Sequence, residues 1–142
     1  MPQLSEKSKE RLEQCHPDLQ KLFNKVIENY DCTIICGHRS AEDQEEAFRT
    51  GKSKVHFPES KHNKYPSLAA DVVPYPIDWN DLTRFYHFGG YVKAMVESIG
   101  IKIRWGGDWD GDFDFKDQNF HDLPHFELIL DTDDNNKKGE IS

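Results

Sequence analysis

The chain has 142 residues, of which 36% are apolar and 31% are charged, a composition typical of one globular domain. A formal net charge of −8 argues against nucleic-acid binding through bulk electrostatics, and no apolar run is long enough to span a membrane. The N-terminus lacks the apolar stretch of a secretory signal, so we expect a protein that is cytoplasmic in the producing cell.

The N-terminal half predicts two helices, a strand and a third helix. Residues 31–36 are rich in β-favouring side chains, and Ser40 predicts the N-cap of a helix that stops before Gly51. Residues 51–67 predict a long polar loop, a type that often carries function. The second helix is expected to begin near Pro17. The apolar residues of the first two helices share one face: Leu12, Leu19, Leu22, Phe23, Val26 and Ile27.

The C-terminal half predicts three more strands and one long helix. The strands are expected at 68–73, 101–105 and 126–130. The helix is expected at 82–98, with Asp78 or Asn80 as its cap and Gly100 at its end. This order predicts an α+β fold, a small, mostly antiparallel sheet flanked by helices, with one domain at 1–130 and a polar tail at 131–142.

The cysteines predict no disulfide framework, because their number is odd and a secretory signal is missing. Cys32 and Cys36 lie four residues apart in the apolar segment CTIIC, on one face of the predicted strand. We expect two small buried thiols there rather than a zinc pair, which would need further Cys or His ligands at short spacing.

Polar residues cluster at predicted strand ends and in loops, where a sheet can direct them into one cleft. The clusters are His38-Arg39-Ser40, Ser60-Lys61-His62, Asp71 and residues 121–127. Two imidazoles and one carboxylate would leave the fourth position of a tetrahedral zinc ion open for water, and His62, Asp71 and His125 could supply them. In the alternative, Asp71 caps a turn or pairs with Arg39, and the loop histidines are solvated.

Four motifs occur in order along most of the chain. They are Gly37-x-Arg39-Ser40-x-x-x-Gln44, Ser60-x-His62, Ala69-x-Asp71 and Asp122-x-x-His125, with WGGDW at residues 105–109 before the last. This pattern resembles the LAS-type zinc peptidases. That group includes D-alanyl-D-alanine carboxypeptidases and dipeptidases, and L-alanyl-D-glutamate endopeptidases found as phage endolysins.

Two departures from the common family pattern point to the endopeptidase branch. His62 and Asp71 are nine positions apart, where many relatives have seven. The spacing H-N-x-x-P-S-x-A-x-D is similar to that of a phage-type subgroup. Asp122 stands where the dipeptidases carry Glu, as in some endolysins, and it is one methylene shorter.

The resemblance implies a role for each motif residue. His62, Asp71 and His125 would bind one Zn²⁺, and Asp122 would act as the general base. Arg39 would stabilise the oxyanion or bind a substrate carboxylate, and Ser60 would hydrogen-bond the substrate.

Three residues nearby remain open between roles. Glu127 shares a strand face with His125, so it is either a rival base or a support for that ligand. Trp105 and Trp109 either line the substrate cleft or pack in the core. The acidic segment 108–117 faintly resembles a calcium loop without EF-hand spacing, which makes Ca²⁺ a second candidate cofactor.

The resemblance implies a zinc-dependent endopeptidase that cuts the L-Ala–D-Glu bond of peptidoglycan stem peptides. The expected setting is a monomeric phage endolysin that reaches the cell wall after holin-type release. The alternatives are a D-alanyl-D-alanine carboxypeptidase or dipeptidase on the same fold, and a non-catalytic cell-wall-binding module.

Overall fold

A computed structural model describes residues 2–109 and 122–130 of the chain. Within them, strands β1 (Cys32–Cys36), β2 (Ala69–Pro74), β3 (Ile103–Gly106) and β4 (Asp122–Leu128) form one sheet in the order β1-β2-β4-β3. All three pairings between neighbouring strands are antiparallel, which confirms the predicted α+β class. The predicted tail at 131–142 lies outside the described residues.

Four α-helices accompany the sheet in the described residues: α1 (Glu6–Glu13), α2 (Pro17–Val26), α3 (Ala41–Arg49) and α4 (Leu82–Ile99). Ser40 caps α3 as predicted, because its side chain accepts the N–H of Asp43. Gly100 ends α4 in the left-handed conformation at φ 75°. None of the described helices combines the length and the apolarity needed to cross a membrane.

The start of α4 differs from the prediction. Asp81, not Asp78 or Asn80, is the N-cap, and its carboxylate accepts the N–H of Arg84 at 3.2 Å. Asp78 instead accepts the N–H of Asn80 at 3.0 Å, a side-chain turn that precedes the helix.

The last strand also differs from the prediction, because it begins at Asp122 and ends at Leu128 rather than covering 126–130. Its N-terminal half contains Pro124, a residue type that is uncommon inside a sheet. The pairing of Gly106 with Asp122, after a register shift beside Trp105, extends the strand backwards.

The core lies between one face of the sheet and helices α2 and α4. Phe126 is its centre, with edge-on contacts to Phe23 and Phe88 and a stacked contact with Trp105. Trp105 in turn packs against α4, where a Cβ built on Gly89 would lie 2.1 Å from the indole Cζ2. The absence of a side chain at Gly89 is therefore what lets the helix approach the sheet.

We expect Gly89→Ala to destabilise the protein by about 1–3 kcal/mol, because the new methyl overlaps the Trp105 ring. Urea denaturation measures this free energy. Gly90→Ala is the matched control: a Cβ there meets nothing within 4 Å, so helix propensity should stabilise it by up to about 1 kcal/mol. Equal stabilities for the two variants would contradict the close packing of α4 on Trp105.

Candidate active site

Asp71 is the centre of the candidate site. It lies on β2, where its cross-strand partners are Cys36 on β1 and His125 on β4. One carboxylate oxygen, Oδ1, lies 3.1 Å from His62 Nε2 and 3.2 Å from His125 Nδ1. The other, Oδ2, accepts a hydrogen bond from Arg39 Nη2 at 3.3 Å. The structure thus places His62, His125 and Arg39 around Asp71, the residue that all three contact.

His62 is held by the loop between α3 and β2. It lies in a short 3-10 helix, Lys61–Asn63, that Ser60 caps by accepting the backbone N–H of His62 at 3.1 Å. The imidazole is fully buried, and its Nδ1–H donates to the carbonyl of Gly37 at 2.7 Å. This hydrogen bond fixes the tautomer and leaves Nε2 as the nitrogen that faces Asp71.

His125 is held by a carboxylate on the same strand. Its Nε2–H donates to Glu127 Oε1 at 2.7 Å, and its Nδ1 faces Asp71. Glu127 is 2% exposed and also pairs with Arg104 at 3.3 Å and with Lys61 at 3.9 Å. Of its two predicted roles, support of His125 matches this position, because three neighbours already engage its carboxylate.

Arg39 is oriented by Gln44, a fully buried residue on α3. The Gln44 Oε1 accepts from Arg39 Nη1 at 3.0 Å and from Asn63 Nδ2 at 3.2 Å. Its Nε2 donates to Ser53 Oγ at 2.9 Å and to the carbonyl of Val55 at 2.8 Å. One amide therefore links α3, the long loop and the guanidinium that contacts Asp71.

The surroundings of Asp71 and Asp122 shift the pKa values of the two carboxyl groups in opposite directions. Burial opposes the charge of Asp71, but His62 and the hydrogen bonds from both histidines hold its pKa well below the usual range. Burial likewise opposes the charged forms of the histidines. The carboxylates nevertheless raise the pKa of His62 to about 10 and that of His125 to about 9.

Asp122 is the carboxylate whose pKa is raised. Burial, and secondly the charge of Asp71, raise its pKa to about 6. A carboxylate oxygen of Asp122 lies within 4.8 Å of a carboxylate oxygen of Asp71 and of a ring nitrogen of His125. An acid with such a pKa is a carboxylate at neutral pH and accepts a proton readily.

Two overlapping groups of side chains have the spacing of metal ligands. One is Cys36, His62 and Asp71, and the other is Asp71, Asp122 and His125. Cys36, Asp71 and Asp122 line a cleft of about 890 Å³, and Arg39 lines it as well. The prediction of a buried Cys36 thiol is wrong, because the strand bulges between Ile34 and Cys36 and leaves the thiol half-buried at this cleft.

Two predicted substrate contacts have other positions in the structure. Trp105 is 1% exposed, and its indole N–H donates to the carbonyl of Leu123 at 2.8 Å, so it packs in the core rather than lining the cleft. Ser60 is fully buried, and its hydroxyl caps the turn that carries His62. Trp109 is also buried, with its ring centroid 5.4 Å from that of His125.

The predicted calcium-loop segment falls mostly outside the described residues. Only Asp108 and Trp109 of the segment 108–117 are described. A calcium site there stays a prediction.

Comparison with known proteins identifies the family of the chain. A family profile described as phage L-alanyl-D-glutamate peptidase matches residues 1–129. The chain belongs to that family. It is 32% identical to the L-alanyl-D-glutamate peptidase of Escherichia phage T5 over 130 residues, 86% of this chain and 94% of that protein.

The fold agrees with a solved relative. The crystal structure of the Serratia marcescens L-Ala D-Glu endopeptidase ChiX superposes with a TM-score of 0.69 at 26% identity, covering 89% of this chain and 90% of that one. The chain is therefore a peptidase of the endolysin type.

The contacts that hold the two histidines are the part of the site that the sequence did not predict. Arg104 and Glu127 are direct cross-strand partners in the register of β3 and β4. Opposite charges at facing positions of two neighbouring strands could have indicated a buried pair. The carbonyl of Gly37 that holds His62 carries no side-chain signal, so the sequence could not reveal it.

We expect Gln44→Leu to lower both stability and activity, because the amide satisfies four buried hydrogen bonds and orients Arg39. Each group left unsatisfied costs about 1–3 kcal/mol, partly recovered by local rearrangement. Thermal unfolding and peptidoglycan turnover measure the two effects.

Glu42→Leu, an exposed substitution on the same helix, is the control and should leave both quantities near wild type. Full activity in Gln44→Leu would show that Arg39 needs no such positioning.

Proposed function

We propose that this protein is a zinc-dependent endopeptidase that hydrolyses the L-Ala–D-Glu bond of peptidoglycan stem peptides. The observation that carries the proposal is the convergence of two oriented imidazoles on Oδ1 of one partly buried aspartate, beside a second carboxylate of raised pKa. The family and both named relatives support the choice of bond.

The donor set fits zinc. Two neutral imidazole nitrogens and one carboxylate oxygen are a ligand set of catalytic zinc sites. Asp71 Oδ1 lies 3.1 Å from His62 Nε2 and 3.2 Å from His125 Nδ1, so one carboxylate oxygen adjoins both rings. The two histidines belong to separate groups of metal-ligand spacing, and Asp71 is the member that the groups share. His62, Asp71 and His125 would hold the ion after a local rearrangement that brings the two imidazoles closer together.

When bound, zinc supplies a Lewis acid and a water of lowered pKa. Asp122 accepts the proton of the attacking water and returns it to the leaving amine of D-Glu. The Arg39 guanidinium, held between Gln44 and Asp71, stabilises negative charge on the scissile carbonyl oxygen. Glu127 keeps the His125 ring in place throughout, and Gly37 does the same for His62.

The test of this function is mass spectrometry of purified peptidoglycan after digestion with the zinc-loaded protein. New N-terminal D-Glu, lost after treatment with EDTA, is the expected result. Release of free D-alanine would instead assign a carboxypeptidase. Stoichiometric zinc without any cleavage would indicate a binding module.

We further propose that the protein acts as a phage endolysin on the cell wall, as a monomer released from the cytoplasm by a holin. The relationship to the T5 peptidase supports the setting. A single chain supplies every group that the proposed chemistry uses, so no second subunit is required.

Asp122→Asn should reduce kcat by about 10²–10⁴-fold while zinc content stays stoichiometric, because the variant loses the proton acceptor and no ligand. Glu127→Gln, on the same strand, is the comparison. It should lower zinc affinity by about 10–100-fold and retain most turnover at saturating zinc. Kinetics and metal analysis of both variants decide the assignment. Loss of zinc in the first variant, or loss of turnover at full zinc occupancy in the second, would contradict it.

Zinc affinity should fall as the pH is lowered below about 9, because the metal needs neutral imidazoles. In the metal-free protein the pKa values of His62 and His125 are raised to about 10 and 9, so both rings carry a proton at neutral pH. Zinc binding at pH 7 should therefore release protons, and less should be released at pH 10.

Calorimetry in two buffers of different ionisation enthalpy counts these protons. His87→Gln, which alters an exposed histidine on α4, should leave the count unchanged. A count of zero at pH 7 would mean that the two rings are neutral before zinc binds.

A further inference from the structure

An exposed apolar wall forms the side of the cleft next to α4. Trp79, Leu82 and Phe85 line it, in the same cleft as Asp71 and Asp122. Trp79 is 55% exposed and Leu82 is 54% exposed, while Phe85 is buried beneath them. Large exposed apolar side chains grouped at a cleft mark a binding surface more often than isolated ones do.

The wall is held in a defined shape before any ligand binds. The indole of Trp79 lies edge-on to the Phe85 ring, with centroids 5.5 Å apart. The Arg84 guanidinium donates to the carbonyls of Tyr75 and Pro76, and Asp81 caps the helix that follows. Trp79 is therefore presented by a rigid turn, which lowers the entropy lost when a ligand packs against it.

The two sides of the cleft differ in charge. The side formed by α3 and the residues after it carries Asp43, Glu46 and Lys52, whereas the α4 side carries the three apolar residues. In peptidoglycan, L-Ala is joined through its amino group to the lactyl group of muramic acid, and this amide leaves the sugar ring uncharged. The D-Glu side of the scissile bond bears free carboxylates. An uncharged ring with apolar C–H faces matches the α4 wall, and the charged part of the stem peptide does not.

We propose that Trp79 is a saccharide platform, on which the muramic acid ring attached to L-Ala packs when the stem peptide enters the cleft. This inference rests on the proposed function, since it assumes that the L-Ala–D-Glu bond lies at Asp122. It gives the enzyme a preference for stem peptides that are still attached to glycan, and it places L-Ala on the α4 side of the site.

The test compares two substrates that differ only in the sugar. One is a disaccharide-tetrapeptide and the other is the same tetrapeptide with a free L-Ala amine. For Trp79→Ala, the ratio of kcat/KM between the glycan-bearing and the sugar-free substrate should fall about tenfold, mainly through KM, because an aromatic contact is lost. Trp79→Phe should recover most of the ratio.

Tyr75→Ala is the matched control, since Tyr75 is an aromatic residue of the same turn, 53% exposed, and does not line the cleft. It should leave the ratio unchanged. An unchanged ratio in Trp79→Ala, or an equal loss on both substrates, would overturn the platform and indicate a contact with the peptide or a structural role.

A second measurement separates failure of the platform from failure of the proposed function. Titration of the zinc-loaded protein with the peptide-free disaccharide should shift the indole N–H resonance of Trp79 in a ¹⁵N NMR spectrum. A shift without hydrolysis of either substrate would support the saccharide site while refuting the endopeptidase. Hydrolysis without a shift at millimolar disaccharide would refute the platform alone.

Discussion

The pairing of the partly buried Asp71 carboxylate is the interaction on which the rest of the site depends. A charge in the interior is costly unless it is paired and hydrogen-bonded. Here three cationic or donor side chains, from Arg39, His62 and His125, surround it. Each of these three has a further partner that fixes its orientation: Gln44, the carbonyl of Gly37, and Glu127. The Asp71 carboxylate can lie among apolar strands because these direct partners, and the groups that orient them, replace hydrogen bonds to water.

The order of the strands in the sheet determines which of the functional side chains are neighbours. Because β2 lies between β1 and β4, Asp71 has Cys36 and His125 as its cross-strand partners. The register of β3 then decides where Asp122 lies. A Cβ at Gly106 would be 1.9 Å from the carbonyl oxygen of Asp122, so a glycine is required where the two strands meet. The same segment buries Trp105 against Phe126, which links the position of the proposed base to the packing of the core.

Sequence alone could predict groups with a local signature. Ser40 was predictable as a cap, and the fold class followed from the order of helices and strands. Residues whose environment depends on distant chain segments were not predictable. Alternation along a strand put Cys32 and Cys36 on one face, but a bulge turned the second thiol to the cleft. Trp105 was open between cleft and core until the approach of α4 at Gly89 showed that it is enclosed. The role of Glu127 likewise needed the register that sets Arg104 opposite it.

The contrast between Asp122 and Glu127 supports their division of labour. Both lie on β4, one on each side of His125 in the sequence. Their surroundings differ. Burial opposes the charge of Glu127, but hydrogen bonding with His125 and the nearby charges of His125, Lys61 and Arg104 lower its pKa. Asp122 has burial and the charge of Asp71 against it, and its pKa rises to about 6. Two carboxylates whose pKa values are driven apart suit different roles, which is consistent with the proposal that Glu127 orients His125 and that Asp122 exchanges protons near neutral pH.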